Sequence, residues 1–310
     1  MSAMGGEQDK KMSGARYAIL EARGVLKIDG PDARTFLQGL ISNDVNKVSE
    51  TRAIYATFLT PQGRFLHDFF IVEIAGALFF DCEAARLDDL KRRLAMFKLR
   101  SKVEITDASA DFVVAAAIGA DGAPKLGLAA QAGQAKPWES GAVFVDPRLA
   151  AAGLRALLPR DRAARVLEQA GFERTTFADY DRLRLSLGLP DGSRDMPVEK
   201  AILLENGLDE LNGIDWNKGC YLGQELTART KHRGLVRKRL LPVSIDGPIP
   251  EPGTPVMAGD KEAGEMHSAV DGLGLAMLRL EFLEQADGLE RAFTAGSARI
   301  TPKKPDWAAF

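Results

Sequence analysis

Between Gly24 and Thr106 the apolar residues follow two different periods. Gly24–Asp29 reads as a short strand. Pro31 then stands near the first turn of a helix carrying Phe36, Leu37, Leu40 and Ile41 on one face, and Ser42-Asn43-Asp44 ends it. Ile54–Leu59 and Arg64–Val72 are strands joined by Thr60-Pro61-Gln62-Gly63, a turn with proline second and glycine fourth. Ala77–Asp81 is another strand. Leu87, Leu90, Leu94 and Phe97 recur at helical spacing, with Asp81 and Glu83 before them and basic residues late, as a helix dipole prefers. Lys102–Thr106 closes the set. This β-α-β-β-β-α-β order mixes helices with antiparallel hairpins and predicts an α+β fold, not a parallel doubly wound sheet.

Around Gly119–Gly141 the composition turns rich in Ala, Gly and Gln, which suits loops between the strands Phe112–Ile118 and Ala142–Asp146. Helices are expected over Asp161–Ala170 and Thr176–Leu187. The second has Thr176 as N-cap, Asp179 three residues on, and Gly188-Leu189-Pro190 as its stop. From Arg237 onward short strands alternate with turns at Gly247-Pro248, Glu251-Pro252-Gly253 and Gly272-Leu273-Gly274, the pattern of a small all-β module ending near Ile300. Gly272-x-Gly274 lacks the third glycine and following helix of a dinucleotide motif and reads as a strand-edge turn. Asp306–Phe310 reads as a loose tail. The division expected is a disordered tail over 1–14, an α+β domain over 15–110, a second over 111–236 and a β module over 237–310.

A chain of 310 residues accommodates two or three domains, and 45% apolar content supplies their cores. Its formal charge of −2 argues against a bulk polyanion, so nucleic acid is not an expected partner. Two distant cysteines, Cys82 and Cys220, cannot build a metal cage and imply no disulfide framework. No resident metal is expected, and the chain reads as a protein of a reducing compartment. The polar, Gly-rich start lacks the apolar core of a secretory signal, and no run approaches the ~18 apolar residues of a membrane span. The expectation is a soluble, cytoplasmic monomer that does not engage membranes.

The richest chemistry lies in Lys218-Gly219-Cys220-Tyr221-Leu222-Gly223-Gln224-Glu225-Leu226-Thr227-Ala228-Arg229. Gly219 and Gly223 let a ligand or another chain segment approach the backbone. Gln224–Lys231 reads as a short helix with Glu225 in its first turn and Arg229 and Lys231 in its last. Cys220, just before that helix and two residues after Lys218, stands where a thiolate is favoured over a thiol. The alternative is a small packed hydrophobe, which is the reading for Cys82 beside Phe79 and Phe80.

These twelve residues resemble the signature of the YgfZ family, folate-binding relatives of the glycine-cleavage T-protein that support iron–sulfur cluster assembly. Thr230-Lys231-His232-Arg233-Gly234 with Val236-Arg237-Lys238-Arg239 resembles its mitochondrial branch, and weaker similarity runs from about Gly24 to about Pro302. The resemblance implies a three-part architecture around a central cavity, with a C-terminal barrel-like module. It also implies binding of tetrahydrofolate or a derivative, and a role with iron–sulfur client or assembly proteins. Cys220 and Lys218 would be the working pair, the thiolate acting as nucleophile or as transient cluster ligand. Asp68, Glu205, Tyr221, Gln224, Glu225, Arg229 and Arg233 would be the ligand-facing residues.

Asp68 lies inside the apolar run Phe65–Ile71, so it must be paired, hydrogen-bonded or facing a cavity. The T-protein has two aspartates at the matching place, and here the first is His67. Glu199 and Glu205 both stand where T-protein relatives hold the pterin, and a carboxylate can accept two parallel N–H bonds from that ring edge. From Arg229 to Arg239 there are six Lys or Arg and no acid, either a solvated face or a site attracting a folate's glutamate tail. Two alternatives stay open beside an assembly factor: an aminomethyltransferase of T-protein type, and a scaffold without turnover. A folate-dependent transferase has no need of a thiol, so Cys220 discriminates between them.

Overall fold

The computed structural model of the protein describes residues 14–234, 236–283 and 293–310. The tail expected over 1–14 therefore lies, but for Gly14, outside the described residues, as does Leu235 in the basic run. The chain forms two compact units, each gathered from separate stretches. One takes the chain up to Thr57, Asp68–Tyr180 and Asn212–Tyr221; the other takes Phe58–His67, Asp181–Leu211 and Leu222–Phe310.

The first unit contains a six-stranded sheet in the order Glu173–Arg174, Arg16–Ile19, Phe112–Ile118, Leu154–Pro159, Gly141–Val145 and Ala135–Trp138. Its neighbours run antiparallel except for the first pair. Strand periodicity sends Val113, Ala115 and Ala117, with Leu154, Ala156 and Leu158, to one face, where Ala163, Val166 and Leu167 of the helix Ala163–Gln169 complete a core. Arg155 has the opposite parity and is buried all the same. The helix expected after Arg174 starts as read: Asp179 N–H donates to Thr176 Oγ1 and Thr176 N–H to Asp179 Oδ2, both at 3.3 Å.

A five-stranded sheet follows the order Ile54–Leu59, Phe65–Ile74, Ala77–Glu83, Arg23–Asp29 and Glu104–Asp107. Unbroken burial along Ile54–Leu59 and through Phe65–Val72 means both faces are covered. The turn between these strands closes through Gly63 N–H to Thr60 O at 2.8 Å. Two expectations change in detail. The first helix spans only Ala33–Gln38, and Leu40 and Ile41 are buried beyond its end. In the helix Leu87–Lys98, Leu87, Leu90 and Leu94 are buried but Phe97 is 37% exposed.

In the second unit the expected β module is a closed barrel. Its strand order is Lys238–Asp246, Leu273–Arg279, Lys261–Val270, Pro255–Ala258, Phe293–Ala295 and Ala298–Pro302. Alternate residues such as Leu241, Val243 and Ile245 fill its interior. Asp271 and Gly272, both at positive φ, make the two-residue hairpin turn that the Gly272-x-Gly274 stretch was read to be. Arg184, buried at the barrel wall, binds Asp181 at 2.5 Å, Asp195 at 2.6 Å and Ser268 Oγ at 2.8 Å.

The loose C-terminal tail is a correction. Trp307 Nε1 donates to Leu187 O at 2.7 Å, Ala309 N–H donates to Glu210 Oε1 at 2.6 Å, and the Arg239 guanidinium lies 4.6 Å from the Phe310 ring centroid. These aromatic residues find partners more than seventy positions away or on a barrel strand, which local composition does not reveal.

Candidate functional site

Cys220 lies at the end of a segment, Asn212–Tyr221, without helix or strand. Such a segment takes its shape from bonds to other parts of the chain, many of them supplied by Ser42 and Asn43. Ser42 Oγ donates to Gly213 O at 2.6 Å and accepts from Thr57 N–H at 2.9 Å, while Asp215 N–H donates to Ser42 O at 3.1 Å. Asn43 Nδ2 donates to Asn212 O and to Tyr55 O, both at 2.8 Å. Asn212 Nδ2 reaches Pro147 O at 3.1 Å. Asp215 pairs with Lys47 at 2.5 Å and caps Asn217 N–H at 2.8 Å. Burial works to raise its carboxyl, but Lys47 and the backbone donors of Asn217 and Lys218 hold it low.

Lys218 is the last tether. Its half-buried ammonium donates to Ile41 O at 2.6 Å and Asn43 O at 2.8 Å and sits 5.2 Å from the Tyr221 ring centroid. Burial lowers its pKa to about 8, against the opposing pull of Asp44 and Asp215. The charge expected to support a thiolate is thus engaged by two carbonyls and an aromatic face. Beyond these tethers the chain opens: Trp216, Gly219 and Cys220 are exposed, and nothing lies within 4 Å of where a Gly219 side chain would start. Cys82 is the opposite case. Its thiol is buried against Gly24 O at 3.6 Å, and burial pushes it up to about 12.

Gly223 opens the helix Gln224–Arg233 in a left-handed conformation, φ 80°. A side chain there would start 2.4 Å from Thr60 O and 3.1 Å from Gly63 Cα, so only glycine lets the helix start press on the Thr60–Gly63 turn. Glu225 in the first turn and Lys231, His232 and Arg233 in the last match the helix dipole, and Thr227 and Thr230 are its buried residues. Gln224 is half-buried, whereas Glu225, Arg229 and Arg233 face solvent. The basic run is partly consumed by the fold: Lys231 pairs with Asp209 at 2.8 Å, Arg239 pairs with Glu210, and Lys238 approaches Glu205 to 3.7 Å. Of the two glutamates weighed for a ligand, Glu199 is exposed at φ 61°, while Glu205 is half-buried and burial raises its pKa against Lys238 and Arg64.

Asp68 is buried and accepts the Tyr55 hydroxyl at 3.0 Å; burial and the Asp68 charge together push that phenol well up. Its neighbour His67 is buried as well. Tyr55 belongs to an ionic cluster around Phe70. The guanidinium of Arg155 lies 4.0 Å, and that of Arg148 4.9 Å, from the Phe70 centroid. Arg155 and Arg23 share Asp81, at 2.5 Å and 2.6 Å, and Arg148 binds Asp146 at 2.8 Å. Among the described residues no group of three or more His, Cys, Asp or Glu could hold a metal ion, and no helix is long and apolar enough to cross a membrane.

Sequence reading singled out Cys220 and Lys218 but passed over the residues that hold their segment. Ser42 and Asn43 looked like a helix stop. Their only local signal is a polar pair that follows an apolar stretch and turns out to be buried.

Two family models match: the GCVT N-terminal domain over residues 19–126 and the CAF17 C-terminal beta-barrel domain over residues 237–310. The chain is 34% identical to the mitochondrial iron–sulfur cluster assembly factor IBA57 of Mus musculus, with 93% of this chain and 84% of that one covered. It is 33% identical to its Homo sapiens counterpart, covering 95% and 86%, and 34% identical to the Mycosarcoma maydis homologue, covering 88% and 76%. The glycine cleavage system aminomethyltransferase T of Bartonella henselae shares the fold, with TM-score 0.78 at 15% identity over 98% of this chain and 89% of that one. The expectation of a cytoplasmic protein is corrected by these relatives, which are named as mitochondrial. The lack of a secretory core and of a membrane span, on which it rested, has no bearing on mitochondrial import, which reads amphipathic, Arg-rich segments. The signature's likeness to YgfZ sharpens accordingly: the chain belongs to the IBA57 family of the T-protein-like, barrel-bearing proteins.

Proposed function

We propose that this protein is an iron–sulfur cluster assembly factor whose working group is the Cys220 thiol. The observation that carries this is an exposed cysteine on a segment tied down by Ser42, Asn43, Asp215 and Lys218. A tethered thiol with open surroundings suits reversible ligation. It loses its proton to solvent, and its sulfur donates an electron pair to an iron of the cluster being assembled. An iron–sulfur cluster is generally held by four such ligands, and one cysteine supplies one of them. A partner protein provides the others, and the cluster is cargo. Lys218 acts in this reading as a tether for the thiol's segment.

A reduced folate is the proposed small-molecule ligand. Glu205 suits it: the carboxylate is half-buried and meets Lys238 at 3.7 Å with the Arg64 charge nearby, which leaves it capacity for the amino edge of a pterin. In this reading Arg229 and Arg233, both exposed, attract the glutamate tail, and Gln224 and Glu225 of the same helix are further ligand-side residues; the resemblance also offers Asp68 and Tyr221 for that role. Bound folate would supply one-carbon chemistry, which the assembly role does not require.

Two measurements test the reading. In a strain lacking this protein, its expression restores the activity of iron–sulfur enzymes; no restoration contradicts the proposal. Calorimetry with tetrahydrofolate gives a binding isotherm that Glu205→Gln weakens. Absence of heat at millimolar ligand removes the folate, and unchanged affinity removes Glu205.

A further inference from the structure

At the end of the helix Leu87–Lys98 the chain spends apolar surface on solvent. Met96 is 60% exposed, Phe97 37% and Leu99 90%, although Leu87, Leu90 and Leu94 of the same stretch are buried. Leu99 also takes a backbone conformation, φ 43° and ψ −109°, that side chains other than glycine rarely adopt. Holding a leucine there strains the backbone, and such strain concentrates at binding and switch positions. A glycine would end the helix without that strain and without presenting an apolar side chain.

Beside Leu99 runs an open groove of about 850 Å³ lined by Asp32, Thr35, Phe36, Leu99, Arg100 and Ser101. That size falls within the ~300–1,000 Å³ of typical ligand clefts. The groove is held in shape by Lys102 N–H to Asp32 Oδ2 at 2.7 Å and Ser101 N–H to Lys98 O at 2.8 Å.

The charges around it are unequal in what they have left to give. Asp32 is used by Lys102 N–H, Asp29 by Lys27 at 2.9 Å and by Gly30 N–H at 2.7 Å, and Asp89 by Arg86, Arg92 and Arg93. Glu104, the remaining acid at the rim, reaches Thr106 Oγ1 at 3.4 Å. Lys98, Arg100 and Lys102 have no acidic partner among the described residues. An apolar tip surrounded by unspent cations complements one kind of surface. We propose that this groove docks a segment of a partner protein that presents an apolar side chain flanked by carboxylates. The apolar anchor covers Leu99 and Phe97 and enters beside Phe36, while the carboxylates meet Lys98, Arg100 and Lys102. A second copy of this chain would set like charges against each other, and a lipid surface has no use for a concave groove.

The test places the photocrosslinker p-benzoylphenylalanine at Met96 in the full-length protein in cells, and identifies each adduct and its contacted segment by mass spectrometry. A probe at Glu262, exposed on the barrel, sets the background. The expected adduct is a protein segment with an apolar residue among Asp or Glu. Arg100→Glu combined with Lys102→Glu lowers its yield by about tenfold, the effect of losing ~1.4 kcal/mol of charge complementarity. Leu99→Gly, which adopts this backbone conformation freely, lowers the yield without lowering the melting temperature. Adducts to lipid, to a second copy, to this chain itself or to a segment without acids overturn the proposal. So does a yield at Met96 no greater than at Glu262.

Discussion

Two glycines flank Cys220, and the structure gives them opposite sensitivities. At Gly223 the backbone is left-handed, φ 80°, which costs alanine roughly 1 kcal/mol. The added methyl would also stand 2.4 Å from Thr60 O and 2.9 Å from Leu59 Cβ. Even a weak C–H···O contact needs ~3.3 Å, so the helix start or the Thr60–Gly63 turn must move by about 1 Å. Gly63 bars the easy retreat, because its own side-chain position is already within 2.6 Å of Gly223 O. Overpacking of this kind costs ~1–3 kcal/mol, and with the conformational cost Gly223→Ala loses about 2–4 kcal/mol. Gly219 has no atom within 4 Å of its side-chain position and no positive φ, so Gly219→Ala stays within ~0.5 kcal/mol of the parent. Urea denaturation of the three proteins, followed by circular dichroism, reads the difference. Equal midpoints for the two variants would show that Gly223 is not the closely packed start of the helix.

Three further outcomes follow from the same geometry. Native protein treated with iodoacetamide near neutral pH labels at exposed Cys220, while Cys82, buried and pushed up to about 12, labels only after unfolding; equal labelling contradicts the assignment of the two thiols. Asp81→Asn leaves the buried guanidiniums of Arg23 and Arg155 without their shared carboxylate and loses ~3–5 kcal/mol by chemical denaturation, against under ~1 if the pair were dispensable. Lys218, lowered to about 8 in the folded chain, gives up its proton before the unfolded chain does at ~10.4. Its contribution to stability therefore rises as pH climbs from about 8 towards ~10.4. Lys218→Met flattens that slope in urea midpoints measured across this range, and an unchanged slope removes the lysine as its source.

The parts of the fold that could be read from the chain are those with local causes. Thr60-Pro61-Gln62-Gly63 and Asp271-Gly272 specify their turns by backbone conformation, Thr176 and Asp179 cap their helix within four residues, and the charges of Gln224–Arg233 order themselves along its dipole. What could not be read has distant causes. Leu154–Pro159 carries an arginine that looks like solvent exposure until Asp81, 74 positions away, buries it as an ion pair. Ser42 and Asn43 looked like punctuation because their work is to hold Gly213 and Asn212, some 170 positions on. The candidate site divides in the same way. The cysteine, the lysine and the glycines announced themselves by spacing, whereas Lys218 turned out to hold backbone carbonyls, a geometry that no spacing encodes.

The central claim is that the Cys220 thiol carries the function. Its most direct measurement is the activity of an iron–sulfur enzyme in a strain lacking this protein, supplied with either the parent chain or Cys220→Ala. An exposed thiol leaves little cavity when removed, so the variant accumulates and melts like the parent, with a loss well under the ~2–5 kcal/mol of a large core truncation. The account predicts that the parent restores enzyme activity and that Cys220→Ala, folded and still able to bind tetrahydrofolate, does not. Full restoration by Cys220→Ala would contradict it, and would leave the thiol without a part in the protein's work.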